Sequence, residues 1–152
     1  MKIEVVTLFP EMIRQALTHG ITGRAIRRGL LSVGTEDPRD HTHDAHRTVD
    51  DRPYGGGPGM VMKPEPLSAA IAAAAARVPG GRRVYLSAQG RRFDQACAAA
   101  LRSEPGLVLV AGRSMGPVLV ALVGGLGSVL GESTGYAAGR ASRSLVTERR
   151  LD

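Results

Sequence analysis

The chain has 152 residues, 20 of them Lys or Arg and 14 Asp or Glu, so it carries a formal charge of +6 and, by length, is expected to fold as one domain. A hydrophobic fraction of 43% beside 22% charged residues excludes intrinsic disorder by composition, and an aromatic fraction of 3% without Trp disfavours an RNA-binding module that stacks bases on aromatic platforms. Cys97 is the only cysteine, which excludes an internal disulfide framework and a cysteine-rich zinc site and fits a reducing, cytoplasmic setting.

In chain order, residues 2–9 (KIEVVTLF) are β-branched and apolar and end at Pro10, which suits the first position of a helix, so a strand is predicted to hand over to a helix there. The same N-terminus carries Glu4 in a short apolar run and lacks the apolar centre of a signal peptide. Met12, Ile13, Ala16 and Leu17 fall at helical spacing over residues 10–19, with Gly20 at the stop. A short helix over 22–28 and a short strand over 30–33 follow. Residues 36–59 have no periodicity and are dense in Asp, Arg, His, Pro and Gly, which reads as a long loop of the kind that carries function. An alanine-rich helix is predicted over 65–78, with Leu67, Ala70, Ile71 and Ala74 on one face and Pro79-Gly80 as its stop. Then come a strand over 83–86, a polar turn over 87–92, a helix over 93–102 and an uninterrupted apolar strand, LVLVA, over 107–111.

This alternation predicts an α/β fold, an open mostly parallel sheet with flanking helices. Ligands of such sheets bind beyond the carboxyl ends of the strands, which puts residues 86–89 and Gly112-Arg113 on the binding edge. Residues 118–123 (VLVALV) read equally as strand or buried helix, and the apolar stretch 117–130 is too short and glycine-rich to span a bilayer. Residues 131–150, rich in Gly, Ser, Thr and Arg, read as a linker or basic tail.

The strongest local feature is HRTVDDRPYGGGPGM over 46–60. Its glycines cost much backbone entropy, which is best rationalised where the main chain approaches a ligand or a second chain closely. No Gly-Lys-Ser/Thr follows, so it is no Walker-type phosphate loop. Upstream, His41, His43, Asp44 and His46 are ligand types for zinc or iron, and a metal site is the main rival reading of this segment. Their order differs from that of metallo-hydrolases, and a solvated loop in which Arg39, Arg47 and Arg52 pair with Asp40, Asp50 and Asp51 or with phosphates is the preferred one. No metal is expected.

The strings TLFPEM, GRA, PRDHTHDAHRTVDDRPYGGGPGMVM and YLSAQGRRFDQA, followed by a buried strand ending in AGR, closely resemble the bacterial tRNA (guanine-N1)-methyltransferases of the SPOUT superfamily, over residues 1–113. The resemblance implies a homodimeric, cytoplasmic enzyme with a trefoil-knotted α/β domain. It would transfer a methyl group from S-adenosylmethionine to N1 of the guanosine 3′ of the anticodon of tRNA, with neither DNA nor a membrane as partner. By match to the family, Tyr85, Leu86, Ser87, Gly112 and Arg113 would hold the adenosylmethionine, with Ala88 standing where the family usually has Pro. Asp50 and the turn Gly55, Gly56, Gly57, Pro58, Gly59 would lie near the target guanine, and Arg47 and Arg52 would serve as phosphate or loop anchors.

Guanine N1 carries a proton and is a poor nucleophile until that proton leaves, so the reaction needs a general base and a cation to hold charge developing on O6. After the AGR strand, however, Ser114-Met115-Gly116-Pro117 leads directly into VLVALV, and the family's next turns are absent, as after loss of an internal segment. If Ser128-Val129-Leu130-Gly131 corresponds to the family's Gly-Val-Leu-Gly, the resemblance puts Gly124 in the place of the catalytic Arg, and residues 132–151 hold no Asp where the family has its base. The expected organisation is a methyltransferase domain over 1–130 and a linker or tail over 131–152, without a C-terminal tRNA-binding domain. Two readings follow: an enzyme with Asp50 or Asp51 as base and Arg113 or Arg140 as cation, or a non-catalytic member that dimerises or touches RNA through its loop.

Overall fold

The structure is a computed structural model that describes residues 1–56, 59–111 and 145–147. Strand β1 (Lys2–Val6) serves two apolar layers because successive side chains point to opposite faces: Ile3 and Val5 enter one, Val6 the other. Helices α1 (Pro10–Ala16) and α2 (Gly20–Arg27) carry the chain to β2 (Ser32–Glu36). A 3-10 turn at Pro38–His41 opens the long segment, within which β3 (Asp50–Asp51) and β4 (Val61–Met62) pair as a small antiparallel hairpin. Helix α3 (Pro64–Arg77), strand β5 (Arg82–Arg92), helix α4 (Gln95–Arg102), strand β6 (Gly106–Ala111) and strand β7 (Leu145–Thr147) complete the order.

The main sheet runs β2-β1-β6-β5-β7, with the first four strands parallel and β7 antiparallel to β5. It is the open, mostly parallel α/β sheet with flanking helices that the alternation predicts. All six residues of β6 are buried: Leu107 and Leu109 meet Ile13, Leu17, Ala25, Cys97 and Leu101 of the α1, α2 and α4 side, while Val108 and Val110 meet Ala70, Ala74 and Val78 on the α3 side. Burying an aliphatic side chain of this size stabilises by roughly 1.5–3 kcal/mol, so a strand buried along its whole length contributes strongly to the core. No described helix is long and apolar enough to cross a membrane.

Several boundaries differ from expectation for local reasons. Helix α1 stops early because Leu17 turns into the core and the Thr18 hydroxyl donates to the Gln15 carbonyl at 2.7 Å. Strand β2 lies two to three residues later than composition suggests, since its register is set by β1: Ser32 N–H donates to Met1, Val33 pairs with Ile3, and Thr7 N–H donates to the Glu36 carbonyl. Where a turn is expected over 87–92, β5 instead continues to Arg92, because β7 supplies it with a pairing partner through an irregularity between Leu86 and Arg91. Strand β7 itself falls within the segment expected as a linker. The 118–123 run, Gly124, Arg140 and the chain that would close a knot lie outside the described residues.

Candidate functional site

At the carboxyl edge of the sheet the parallel register of β5 and β6 comes to its end. Leu86 of β5 pairs directly with Ala111, the last residue of β6, as Tyr85 pairs with Val110. Leu86 and Ala111 both turn their side chains into the core, and on its other side Leu86 pairs with Val146 of β7. Tyr85 is 45% exposed and Ser87 half-buried. Gly112 and Arg113, next along β6, lie outside the described residues, as do Gly57 and Pro58. Ala88 continues β5.

The long segment leaves the sheet from the carboxyl end of β2, on this same edge, and is folded by polar groups that have no sequence period. Asp37 caps the 3-10 turn by accepting from Arg39 N–H at 2.9 Å. Arg39 reaches back to β1's exit, its Nη1 donating to the Leu8 carbonyl at 2.7 Å. The Arg39 carbonyl in turn accepts from Thr42 Oγ1 at 2.8 Å and from Arg47 Nε at 3.2 Å. Arg47 adopts a left-handed backbone (φ 51°) and pairs with Asp40. Asp44 accepts from the Thr48 amide and hydroxyl; those bonds, the hydroxyl's first, hold its carboxyl below the usual range although it is fully exposed.

The hairpin that follows is rooted by Val49, which is buried and whose carbonyl accepts from Lys63 N–H at 2.8 Å. Asp50 is half-buried and pairs with Met62; Asp51 pairs with Val61 and accepts from Arg52 N–H at 2.7 Å. Gly55, Gly56 and Gly59 take φ of +84°, +84° and +96° with open space where a Cβ would stand, so backbone conformation rather than crowding demands glycine there. Tyr54 is fully exposed and Met60 and Val61 are about half exposed, which gives the hairpin an unusual display of apolar surface. Arg52 is exposed beside them.

Beneath the loop lies a charged cluster that periodicity does not reveal. Glu4, only 4% exposed at its side chain, sits on the α3 face of β1 and accepts from Arg77 Nε at 2.9 Å. The other arm of Arg77 reaches Glu36 Oε2, and the remaining oxygen of Glu36 lies 2.6 Å from His41 Nε2. Burial is the largest influence on Glu36 and works to raise its pKa, but the hydrogen bonds and charges of Arg77 and His41 together outweigh it and leave the carboxyl below its ordinary value of 4.5. The Glu36 hydrogen bond is likewise the main reason the Arg77 guanidinium holds its proton more tightly than usual. The available signal was Glu4 itself, a carboxylate within a strand of inward residues.

His41 is therefore engaged with Glu36, and Asp44 with Thr48, while His43 and His46 are exposed. Among the described residues no group of three or more His, Cys, Asp or Glu side chains is placed to hold a metal ion. Of the predicted site residues, Asp50, Arg52, Gly55, Gly56 and Gly59 share one hairpin, Arg47 fastens the loop to Asp40, and Leu86 lies at the sheet edge beside the residue that precedes Gly112.

The profile of the family described as tRNA (Guanine-1)-methyltransferase TrmD matches residues 1–117. A tRNA (guanine-N(1)-)-methyltransferase of Methylococcus capsulatus is 57% identical over 117 residues, covering 76% of this chain and 47% of the relative. One from Cronobacter sakazakii is 55% identical over 117 residues, covering 76% and 46%. The chain thus spans about half the length of the curated relatives it matches. Among solved structures, a tRNA (m1G37) methyltransferase from Aquifex aeolicus superposes with a TM-score of 0.73 at 23% identity, over 84% of this chain and 68% of that one, a likeness of fold.

Proposed function

We propose, from the premise that the chain belongs to the tRNA (guanine-1)-methyltransferase family, that it transfers a methyl group from S-adenosylmethionine to N1 of a guanine in tRNA, at the guanosine 3′ of the anticodon. The observation that carries this reading is the pairing of Leu86 with Ala111, the last pair of the β5–β6 register, on the edge from which the glycine hairpin departs.

This edge suits the donor. Because the side chains of Leu86 and Ala111 are committed to the core, the main chain beyond them is what remains to hydrogen-bond an adenine, and Tyr85 and Ser87 stand at the surface beside it. Tyr85, Leu86, Ser87, Ala88, Gly112 and Arg113 would hold the donor, whose bound sulfonium supplies an electrophilic methyl carbon. The chain's own task is to prepare guanine. Asp50, half-buried at the root of the hairpin, would accept the N1 proton; the freed lone pair then forms the N–C bond while the S–C bonding pair stays on sulfur. Gly55, Gly56, Gly57, Pro58 and Gly59 would let main chain approach the purine. Tyr54, Met60 and Val61 offer apolar contact, Arg52 with Arg47 would serve the phosphates, and Arg113 or Arg140 the charge on O6.

In this reading the protein is a cytoplasmic homodimer, its residues 1–130 form the methyltransferase domain, and 131–152 a linker or basic tail. The second reading, a non-catalytic member that binds RNA through the hairpin, is favoured by one observation: the family match stops at Pro117 while the chain runs on to Asp152. Incubation with labelled S-adenosylmethionine and an unmodified tRNA transcript separates the two. Label at guanine N1 that falls at least about a hundredfold in Asp50→Ala supports the enzyme, within the usual range for loss of a general base. Absence of label at saturating protein supports the second.

A further inference from the structure

The geometry points to Arg77 and Glu36 as positioning residues that hold the loop carrying Asp50 in register with the sheet. Neither lies in the hairpin, and the proposal rests on the reading of Asp50 as a group that meets the target base.

A carboxylate as buried as Glu4 costs several kcal/mol unless it is paired. Its partner comes from α3: Arg77 Nε bonds Glu4 at 2.9 Å and the other arm bonds Glu36. One planar guanidinium thereby joins the middle of β1, the carboxyl end of β2 and the last turn of α3, a fork that an ammonium cannot reproduce. Glu4, Arg77 and Glu36 sum to one surplus negative charge, and it is Glu36's free oxygen that meets His41 at the end of the 3-10 turn. From there to Asp50 fastenings recur every few residues: Arg39 to Leu8, Thr42 and Arg47 to the Arg39 carbonyl, Asp44 to Thr48, and buried Val49.

Helix α3 closes both roots of this loop. Its N-terminal end follows directly on Lys63, whose amide holds Val49 next to Asp50; its C-terminal end carries Arg77, which holds Glu36 and through it His41. A rigid helix of 14 residues, about 21 Å long, therefore sets the separation of the two roots. Loosening one end alone should free the loop without melting the sheet.

Hydrogen exchange on the full chain, resolved by peptide, tests this with Arg77→Gln, Arg77→Lys and His41→Ala. Arg77→Gln is expected to speed exchange over residues 39–51 about tenfold while β6 stays at the wild-type rate, with Arg77→Lys between the two, as for local rather than global opening. Should Arg77→Gln fail to fold, His41→Ala, which leaves the Arg77–Glu4 pair in place, must show the same local effect. Exchange over 39–51 within twofold of wild type in every variant that folds, or acceleration of β6 to the same degree, overturns the proposal. A second readout is kinetic: His41→Ala should raise KM for tRNA while the affinity for S-adenosylmethionine is unchanged, and an equal loss of both contradicts a positioning role. Absence of methyl transfer by the wild-type chain would count against the function proposed above and leave the exchange result to judge the loop.

Discussion

Glu4 and Gly34 face each other across β1 and β2, and a Cβ on Gly34 would stand 2.4 Å from both oxygens of the Glu4 carboxylate. The glycine is there to seat a charge. Gly34→Ala is therefore expected to destabilise by about 1–3 kcal/mol in urea unfolding, since the carboxylate must leave its place against Arg77. In a Glu4→Ala background the same substitution should cost at least about 1 kcal/mol less; costs that add to within about 0.5 kcal/mol would show that the two residues are independent. Glu36 gives a pH prediction. Its folded pKa lies below 4.5, so its contribution is complete above that value and is lost as pH falls through the depressed folded pKa. Glu36→Gln should flatten the acid limb of the stability curve below pH 4.5; an unaltered acid limb contradicts the assignment. Of this cluster the sequence shows Glu4 as a charge among apolar neighbours, but its partner lies 73 positions away, a distance no local pattern spans.

At the scale of elements, legibility follows periodicity. The run LVLVA reads as a strand buried on both faces, and β6 is one. Leu109→Ala should cost about 2–5 kcal/mol by calorimetry, because its site is walled by β1, β5 and helices on one face and cannot collapse; a cost under about 1 kcal/mol would mean the site is not packed as described. Helix α4 begins two residues later than expected because Asp94 serves as its cap, accepting from Cys97 N–H at 2.8 Å. Asp94→Ala is expected to lose about 1 kcal/mol, and Asp94→Ser to recover most of it. The segment was legible as a loop but not in its structure: its 3-10 turn and the stretch to Thr48 are held by bonds of Arg39, Thr42, Asp44 and Arg47, which leave no hydrophobic period. The extension of β5 was hidden for a different reason, its partner β7 being a three-residue strand far along the chain.

For the molecule as a whole, alternating strands and helices predict the class of sheet but not that β6 inserts between β1 and β5. That insertion places Leu86 of β5 beside Ala111, the last residue of β6, on the edge from which the glycine hairpin leaves. The motif strings that resemble the family put the proposed donor residues on this same edge. The most direct measurement is calorimetric titration of the folded full chain with S-adenosylmethionine, beside Gly112→Trp, whose fold is checked by circular dichroism. Saturable binding at one donor per chain that vanishes in Gly112→Trp is the predicted result; no binding by the wild type, or undiminished binding by the variant, would contradict a donor site at this edge of β5 and β6.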